Sequence, residues 1–167
     1  MRAGRRKVET DLMANNLHLR DVTESDLPIF FQQQLDPEAT AMAAFPTRDR
    51  ESFMAHWAKI MADETNILKT IIFDDSIAGN IVSWEQSGEQ EIGYWIGKEF
   101  WGKGIATKAL SESLSHIKTR PIYAHVAKHN IASQRVLEKC GFAVIGSQWI
   151  LDEEGNEMIE EFILKLE

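Results

Sequence analysis

A single cysteine, Cys140, is all the thiol this 167-residue chain has. An internal disulfide is excluded, and the count fits a reducing, cytoplasmic compartment. Long apolar runs are also missing. No stretch approaches the ~20 apolar residues of a membrane-spanning helix, so no membrane partner is expected. Positive charge is scarce. Lys and Arg number 18 against 26 Asp and Glu, a formal net charge of −8. Such a chain lacks the basic surface that displaces counterions from nucleic acid, and no nucleic-acid partner is expected. It suits a cationic partner such as an amine. The five histidines show no paired metal-ligand spacing, so no metal is expected. No repeat, low-complexity run or linker interrupts the chain. The basic start, Met1-Arg2-Ala3-Gly4-Arg5-Arg6-Lys7, is followed by no apolar core and does not read as a secretory signal. Residues 1–14 are expected to be a flexible basic extension before one domain at 15–167.

What is present is ordinary globular material, 44% hydrophobic and 26% charged, enough for a real core. Leu17-His18-Leu19-Arg20 alternates and predicts a first strand. Thr23 starts a helix as N-cap, with acids and Pro28 in the first turn, running to about Leu35. Residues 48–61 predict a second helix with Phe53, Trp57, Ile60 and Met61 on one face. The period then shortens. Strands are expected at 67–73, 77–84 and 91–96, turning at 74–76 and 87–89. Residues 105–117 read as a helix, 122–126 as a strand and 131–140 as a helix closed by Gly141. A hairpin of 144–151 and 158–166 across 152–155 completes the chain. This order predicts an α+β, or mixed α/β, sheet covered on both faces.

Two polar segments stand out. Trp101-Gly102-Lys103-Gly104-Ile105-Ala106 sits between a strand and a helix. Glycine at a helix start destabilises by ~1 kcal/mol relative to alanine, which makes sense where a backbone must bend or let a ligand approach. The N–H groups of Gly102, Gly104, Ile105 and Ala106 can then converge on an anion, helped by the helix dipole and Lys103. A plain strand–helix turn is the alternative. Gly97 to Lys103 nearly spells a P-loop, but the Ser or Thr that holds magnesium is replaced by Gly104. A dinucleotide fingerprint needs a third glycine where Thr107 stands. The second segment, Asn130-Ile131-Ala132-Ser133, can place a polar pair beside the same ligand or simply cap a helix.

Trp101-x-x-Gly104-x-Ala106 resembles the acetyl-CoA loop of the GNAT superfamily of N-acetyltransferases, with Trp101 where Gln or Arg is usual. Asn130-x-x-Ser133-x-x-Val136-Leu137-Glu138-Lys139-x-Gly141-Phe142 resembles the second signature of the branch that includes ribosomal-protein N-terminal, or Rim-type, acetyltransferases. The order of elements agrees over nearly the whole chain. The resemblance implies a twisted, mostly antiparallel sheet of about seven strands, with a splayed parallel pair that admits acetyl-CoA. It implies that Tyr94, Trp95 and Ile96 hold the pantetheine arm, that residues 101–106 hold the pyrophosphate, and that Asn130 bonds the pantetheine. Homodimers are common in this family, and a homodimer is one expectation here.

The chemistry is acetyl transfer to an amine. A lysine-like acceptor, with a reference pKa of ~10.4, must lose a proton before or during attack. A backbone N–H near Trp95 or Ile96 would receive the developing oxyanion. Many relatives place a tyrosine seven positions after the asparagine to protonate the thiolate. That position is Leu137 here, and Ser133 is nominated instead, against a local capping role. For the base, His125 and Glu91 compete, each also readable as an ordinary strand residue. Trp84, Trp95 and Trp149 could line an acceptor pocket or be core. Cys140 reads as a small core residue. The expected function is N-acetylation of a primary amine (a protein N-terminus, a lysine or a small amine) by direct attack in a ternary complex. The alternatives are a non-catalytic acyl-CoA-binding or regulatory module and, disfavoured by Gly104, a nucleotide hydrolase.

Overall fold

The computed structural model describes residues 16–44, 48–151 and 157–167. The expected extension at 1–14 and the turn at 152–155 lie outside these residues. Strands β1 (Leu17–Asp21), β2 (Ile67–Phe73), β3 (Ser76–Gln86) and β4 (Glu89–Ile96) form an antiparallel meander. Asp74 and Asp75, at φ 47° and 61°, make the left-handed pair that a tight hairpin between β2 and β3 demands. Strands β5 (Ile122–Ala127), β6 (Ala143–Leu151) and β7 (Met158–Leu166) form a second antiparallel group. The sheet runs β1-β2-β3-β4-β5-β7-β6. The two groups meet in one parallel pairing, Gln90 with Ile122 and Glu91 with Tyr123. Beyond those residues β4 and β5 part. The mixed α/β class, the seven strands and the single splayed parallel pair are as expected.

Five α-helices lie among the described residues: α1 (Leu27–Gln34), α2 (Pro37–Ala43), α3 (Arg50–Ala62), α4 (Ile105–His116) and α5 (Ile131–Lys139). On one sheet face Ile105, Ala109, Leu110 and Leu114 of α4, with Leu137 of α5, pack on Ile71, Ile81, Ile92, Ile122 and Leu164. On the other face Leu27, Phe30 and Phe31 of α1 meet Phe53 and Trp57 of α3. Phe30 and Trp57 lie 5.1 Å apart, ring to ring. Fully burying each such side chain contributes roughly 1.5–3 kcal/mol, which is why these periodic positions decide the helices.

Two local readings change. The first helix is broken into a 3₁₀ turn, Glu24–Asp26, and α1. The reason is Asp26, whose buried carboxylate is drawn onto the sheet by both Arg20 guanidinium nitrogens at 2.7 Å, by the Thr23 N–H at 2.9 Å and by the Thr70 hydroxyl at 2.7 Å. Helix α2 was not expected at all. Its signal was present: Asp36 accepts the Ala39 N–H at 3.0 Å, and Pro37 occupies the first helical position. Gly79 on β3 serves close approach, since a Cβ there would overlap the Trp95 carbonyl oxygen of β4.

Candidate active site

A cleft of about 560 Å³ opens where β4 and β5 part. Tyr94, Trp95 and Ile96 line it from the end of β4. Trp101, Gly102, Gly104, Ile105 and Ala106 line it from the loop entering α4, and Asn130 and Ser133 from the start of α5. Three nominated residues, Lys103, His125 and Glu91, are not on its wall. Residues the sequence reasoning missed are. Ala39, Met42 and Ala43 of α2 add an apolar side, and Arg135 and Lys139, one turn apart on α5, add cations. The spacing of that basic pair was visible in the sequence; the position of α2 was not.

The loop geometry follows from its glycines. Gly102 and Gly104 have φ of 75° and 74°, a region L side chains enter at ~1–2 kcal/mol. A Cβ at either would meet nothing within 4 Å, so both face open space. Gly104 caps α4, and the first N–H taken up inside the helix is that of Lys108, by the Gly104 carbonyl at 3.2 Å. The N–H groups of Ile105, Ala106 and Thr107 precede it at the positive end of the helix dipole, where anions are favoured. The Trp101 indole N–H donates to the Ile96 carbonyl at 2.9 Å, pinning the loop to the strand end. The Lys103 ammonium lies over the rings of Phe73 and Phe100, 5.8 and 5.7 Å from their centroids.

The backbone of β4 also aims into the gap. The Gly97 N–H donates to Ala78 of β3 at 2.8 Å. Strand alternation then turns the N–H and carbonyl of Ile96 away from β3, toward the parted side. The Trp101 bond to the Ile96 carbonyl has that same direction. Of the two residues expected near an oxyanion, Ile96 therefore has the suitable N–H, while that of Trp95 faces β3.

Asn130 caps α5, its side-chain oxygen accepting the Ser133 N–H at 3.2 Å. Across the cleft the Tyr94 hydroxyl lies 2.6 Å from the Ser133 hydroxyl. Burial pushes the Tyr94 phenol up to about 12, so it is protonated at neutral pH. Leu137, where relatives carry a tyrosine, is buried in the core. A phenol from β4 thus reaches the turn of α5 just before Leu137.

His125 and Glu91, the two candidate bases, touch. His125 Nε2 lies 2.9 Å from a Glu91 oxygen, and Nδ1 lies 2.9 Å from a Glu161 oxygen. The Gln148 amide donates to that Glu161 oxygen at 2.6 Å. The hydrogen bond to Glu161 raises the imidazole above its usual value against the pull of burial, and the charges of Glu161, Glu91 and Glu89 add to the rise. The same bond draws the Glu161 carboxyl below the usual range. A carboxylate on each ring nitrogen favours the doubly protonated imidazole. Glu161, on a strand distant in sequence, was missed.

Of the tryptophans, Trp95 lines the cleft, Trp84 packs over Gly93, and Trp149 is exposed on β6. Cys140 is half-buried, with its thiol pushed up by burial and directed at the Thr107 carbonyl. Among the described residues no helix is long and apolar enough to cross a membrane, and no cluster of His, Cys, Asp or Glu is placed to hold a metal.

Known proteins match this geometry. A Bacillus subtilis (strain 168) protein, provisionally named ribosomal N-acetyltransferase YdaF, is 32% identical over 100 residues, or 56% of this chain; the match spans only 55% of that protein's length. The crystal structure of spermidine N-acetyltransferase from Vibrio cholerae, in complex with CoA and spermine, superposes with a TM-score of 0.78 at 18% identity, covering 90% of this chain and 95% of that one. RimL, a ribosomal L7/L12 α-N-protein acetyltransferase in complex with coenzyme A, superposes with a TM-score of 0.75 at 19% identity, covering 92% and 95%. At such identities the superpositions speak for the fold. The acetyltransferase (GNAT) domain family matches residues 16–143, most of the chain, and the protein belongs to that family of acetyltransferases.

Proposed function

We propose that the chain transfers the acetyl group of acetyl-CoA to a primary amine by direct attack in a ternary complex. The observation that carries this reading is the parted β4–β5 seam, where left-handed glycines, the first amides of α4 and the hydroxyls of Tyr94 and Ser133 face one cleft. The α4 amides suit the diphosphate. Arg135 and Lys139 suit the remaining phosphate, and Asn130 with the β4 edge suits the pantetheine amides. The Ile96 N–H is aimed to receive the carbonyl oxygen as charge develops on it.

The acceptor arrives mostly as an ammonium, which the net charge of −8 favours. Its proton passes to a base directly or through water, and His125 and Glu91, on the two strands flanking the seam and in contact with each other, are the candidates. The amine nitrogen then bonds the acetyl carbon and the carbon–sulfur bond breaks. The departing thiolate takes a proton from the Tyr94–Ser133 hydroxyl pair. Tyr94 supplies the phenol that Leu137 does not. That pair also weighs against a module that only binds acyl-CoA, which would need no proton donor at the seam.

The test is thiol release from acetyl-CoA across a panel of N-terminal peptides, lysine peptides and polyamines. Turnover with one class supports the proposal and names the acceptor. Tight CoA binding with no turnover in any class would instead leave a binding module. The YdaF and RimL likenesses put ribosomal-protein N-termini first in the panel, and the spermidine N-acetyltransferase likeness puts polyamines second.

A further inference from the structure

Strand alternation sorts the residues of the seam onto two faces. Ile92 and Ile96 of β4, Ala124 and Val126 of β5 and Leu164 of β7 are buried in the core with α4 and α5, and Tyr94 and Phe162 pack on it. Glu91, His125 and Glu161 alternate with these residues and so stand on the opposite face. Register brings Gln148 to that face too, since it is the β6 partner of Glu161. The Tyr94–Ser133 hydroxyls and the His125 cluster therefore lie on opposite sides of one sheet. His125 comes two residues after Tyr123, the partner of Glu91 in the last parallel rung, so it stands where the gap begins.

The two ring nitrogens of His125 meet different surroundings. Nδ1 lies 2.9 Å from a Glu161 oxygen that also accepts the Gln148 amide N–H at 2.6 Å. Nε2 lies 2.9 Å from Glu91 alone. The carboxylates are nearly enclosed, 13% exposed for Glu91 and 14% for Glu161, while the imidazole is 32% exposed. The acids acting on the ring are Glu89 and Glu91 from β4 and Glu161 from β7, and β6 brings the neutral Gln148 amide. Lys165, on the same face of β7, is paired with Glu167. A hydrogen bond from Nδ1–H to Glu161 fixes the tautomer and the plane of the ring. Nε2 is then left facing Glu91. Two bare acceptors at that distance repel, so the space between them is a place for one proton.

Resting on the acetyl-transfer reading, we propose that Glu161 and Gln148 are positioning residues for deprotonation of the amine, holding His125 so that Nε2 and Glu91 act as one proton-accepting pair at the opening of the seam. The pair first gives its shared proton to water, which reaches the exposed edge of the imidazole. An N–H bond of the acceptor ammonium then breaks, and its proton enters the place between Nε2 and Glu91, directly or through water. The electron pair left on nitrogen forms the bond to the acetyl carbon. The amine enters from the His125 face. The proton acceptor thus stands apart from the Tyr94–Ser133 hydroxyls that serve the thiolate, and the two proton movements do not cancel each other.

Profiles of rate against pH, with acetyl-CoA and the acceptor found in the panel, test this in wild type, Glu161→Gln and Glu161→Leu. Glu161→Gln keeps an oxygen for Nδ1–H but loses the charge that favours the protonated ring. Its rate should begin to rise at a pH lower by about one unit. Glu161→Leu loses the orientation as well, and its kcat at the plateau should fall roughly 10²-fold, with Glu161→Gln retaining more of it. KM for acetyl-CoA should stay that of wild type in both, since Glu161 is not on the cleft wall. The amine titrates alike in every variant, so a difference between profiles belongs to the cluster. Circular dichroism and calorimetric CoA binding check the fold of each variant, and if Glu161→Leu does not fold, Glu161→Gln decides alone. A Glu161→Gln profile that coincides with wild type overturns the inference and leaves acetyl transfer standing. A wild type with no turnover on any acceptor removes acetyl transfer, and this proton path with it.

Discussion

Gly104→Ala separates what the loop does for the fold from what it does for a ligand. The methyl group meets nothing within 4 Å in the free protein, so its effect on stability is backbone strain alone. Holding alanine at φ 74° costs roughly 1–2 kcal/mol. For a chain of this length that lowers Tm by about 2–8 °C. Binding responds differently if the open space holds the diphosphate. The methyl group then displaces the anion or turns an N–H away from it. Each hydrogen bond to a charged group is worth about 1.5–3 kcal/mol, so the affinity for CoA should fall about 10- to 150-fold. Gly88 is the internal control. It lies in the β3–β4 turn at φ 82°, with nothing within 4 Å of an added Cβ, away from the cleft. Gly88→Ala should lose similar stability and no affinity. Calorimetric titration with CoA and acetyl-CoA, beside thermal melts of both variants, reads the two quantities. If Gly104→Ala binds CoA within about threefold of wild type while its Tm falls as computed, the amides of α4 do not grip the diphosphate and the reasoning fails.

Tyr94→Phe should lower kcat by about 10²-fold, as for loss of a general acid, with KM for acetyl-CoA little changed; an unaltered kcat would return the Tyr94–Ser133 bond to a packing role. Asp26→Asn breaks a buried, four-bonded ion pair and should destabilise by about 3–5 kcal/mol in urea titration. Burial pushes the Asp26 carboxyl up, but the bonds from Arg20, Thr23 and Thr70 outweigh it and hold the group at about 2, below an unfolded value of ~3.9. Its contribution, about 2 kcal/mol, is therefore present above pH ~4 and lost as pH falls toward 2; acid unfolding that begins no earlier in Asp26→Asn, once corrected for its lower stability, is expected. Imidazole resonances should place the His125 titration above its ordinary value, and Glu161→Gln should bring it down. His125 then stabilises the fold fully below pH ~6.5 and loses that contribution as pH rises through its raised value. A titration unmoved by Glu161→Gln would contradict the cluster.

Much of this molecule can be read before any coordinates exist, and the reasons are local. The strands at 67–73 and 158–166 coincide with β2 and β7, since alternation and turn residues bound them on both sides. Gly102, Gly104, Asn130 and Ser133 face one cleft because the loop and α5 are each set by their own caps. The misses are long-range. Glu161 meets His125 only through the pairing of β5 with β7. Tyr94 reaches Ser133 only because β4 and β5 part. Helix α2 is the exception, a local signal in Asp36-Pro37 left unread.

The seam between β4 and β5 has a mechanical meaning. Among the described residues, two rungs, at Gln90 and Glu91, join four strands to the other three. Beyond these rungs the described residues of β4 and β5 are not paired with each other, and helices and apolar side chains beneath them span the two halves. A ligand threaded into the gap with amides along its length would act as an eighth strand, supplying the rungs the protein omits. Occupancy would then stiffen the whole sheet, and the empty protein should breathe along this one line before it breathes anywhere else.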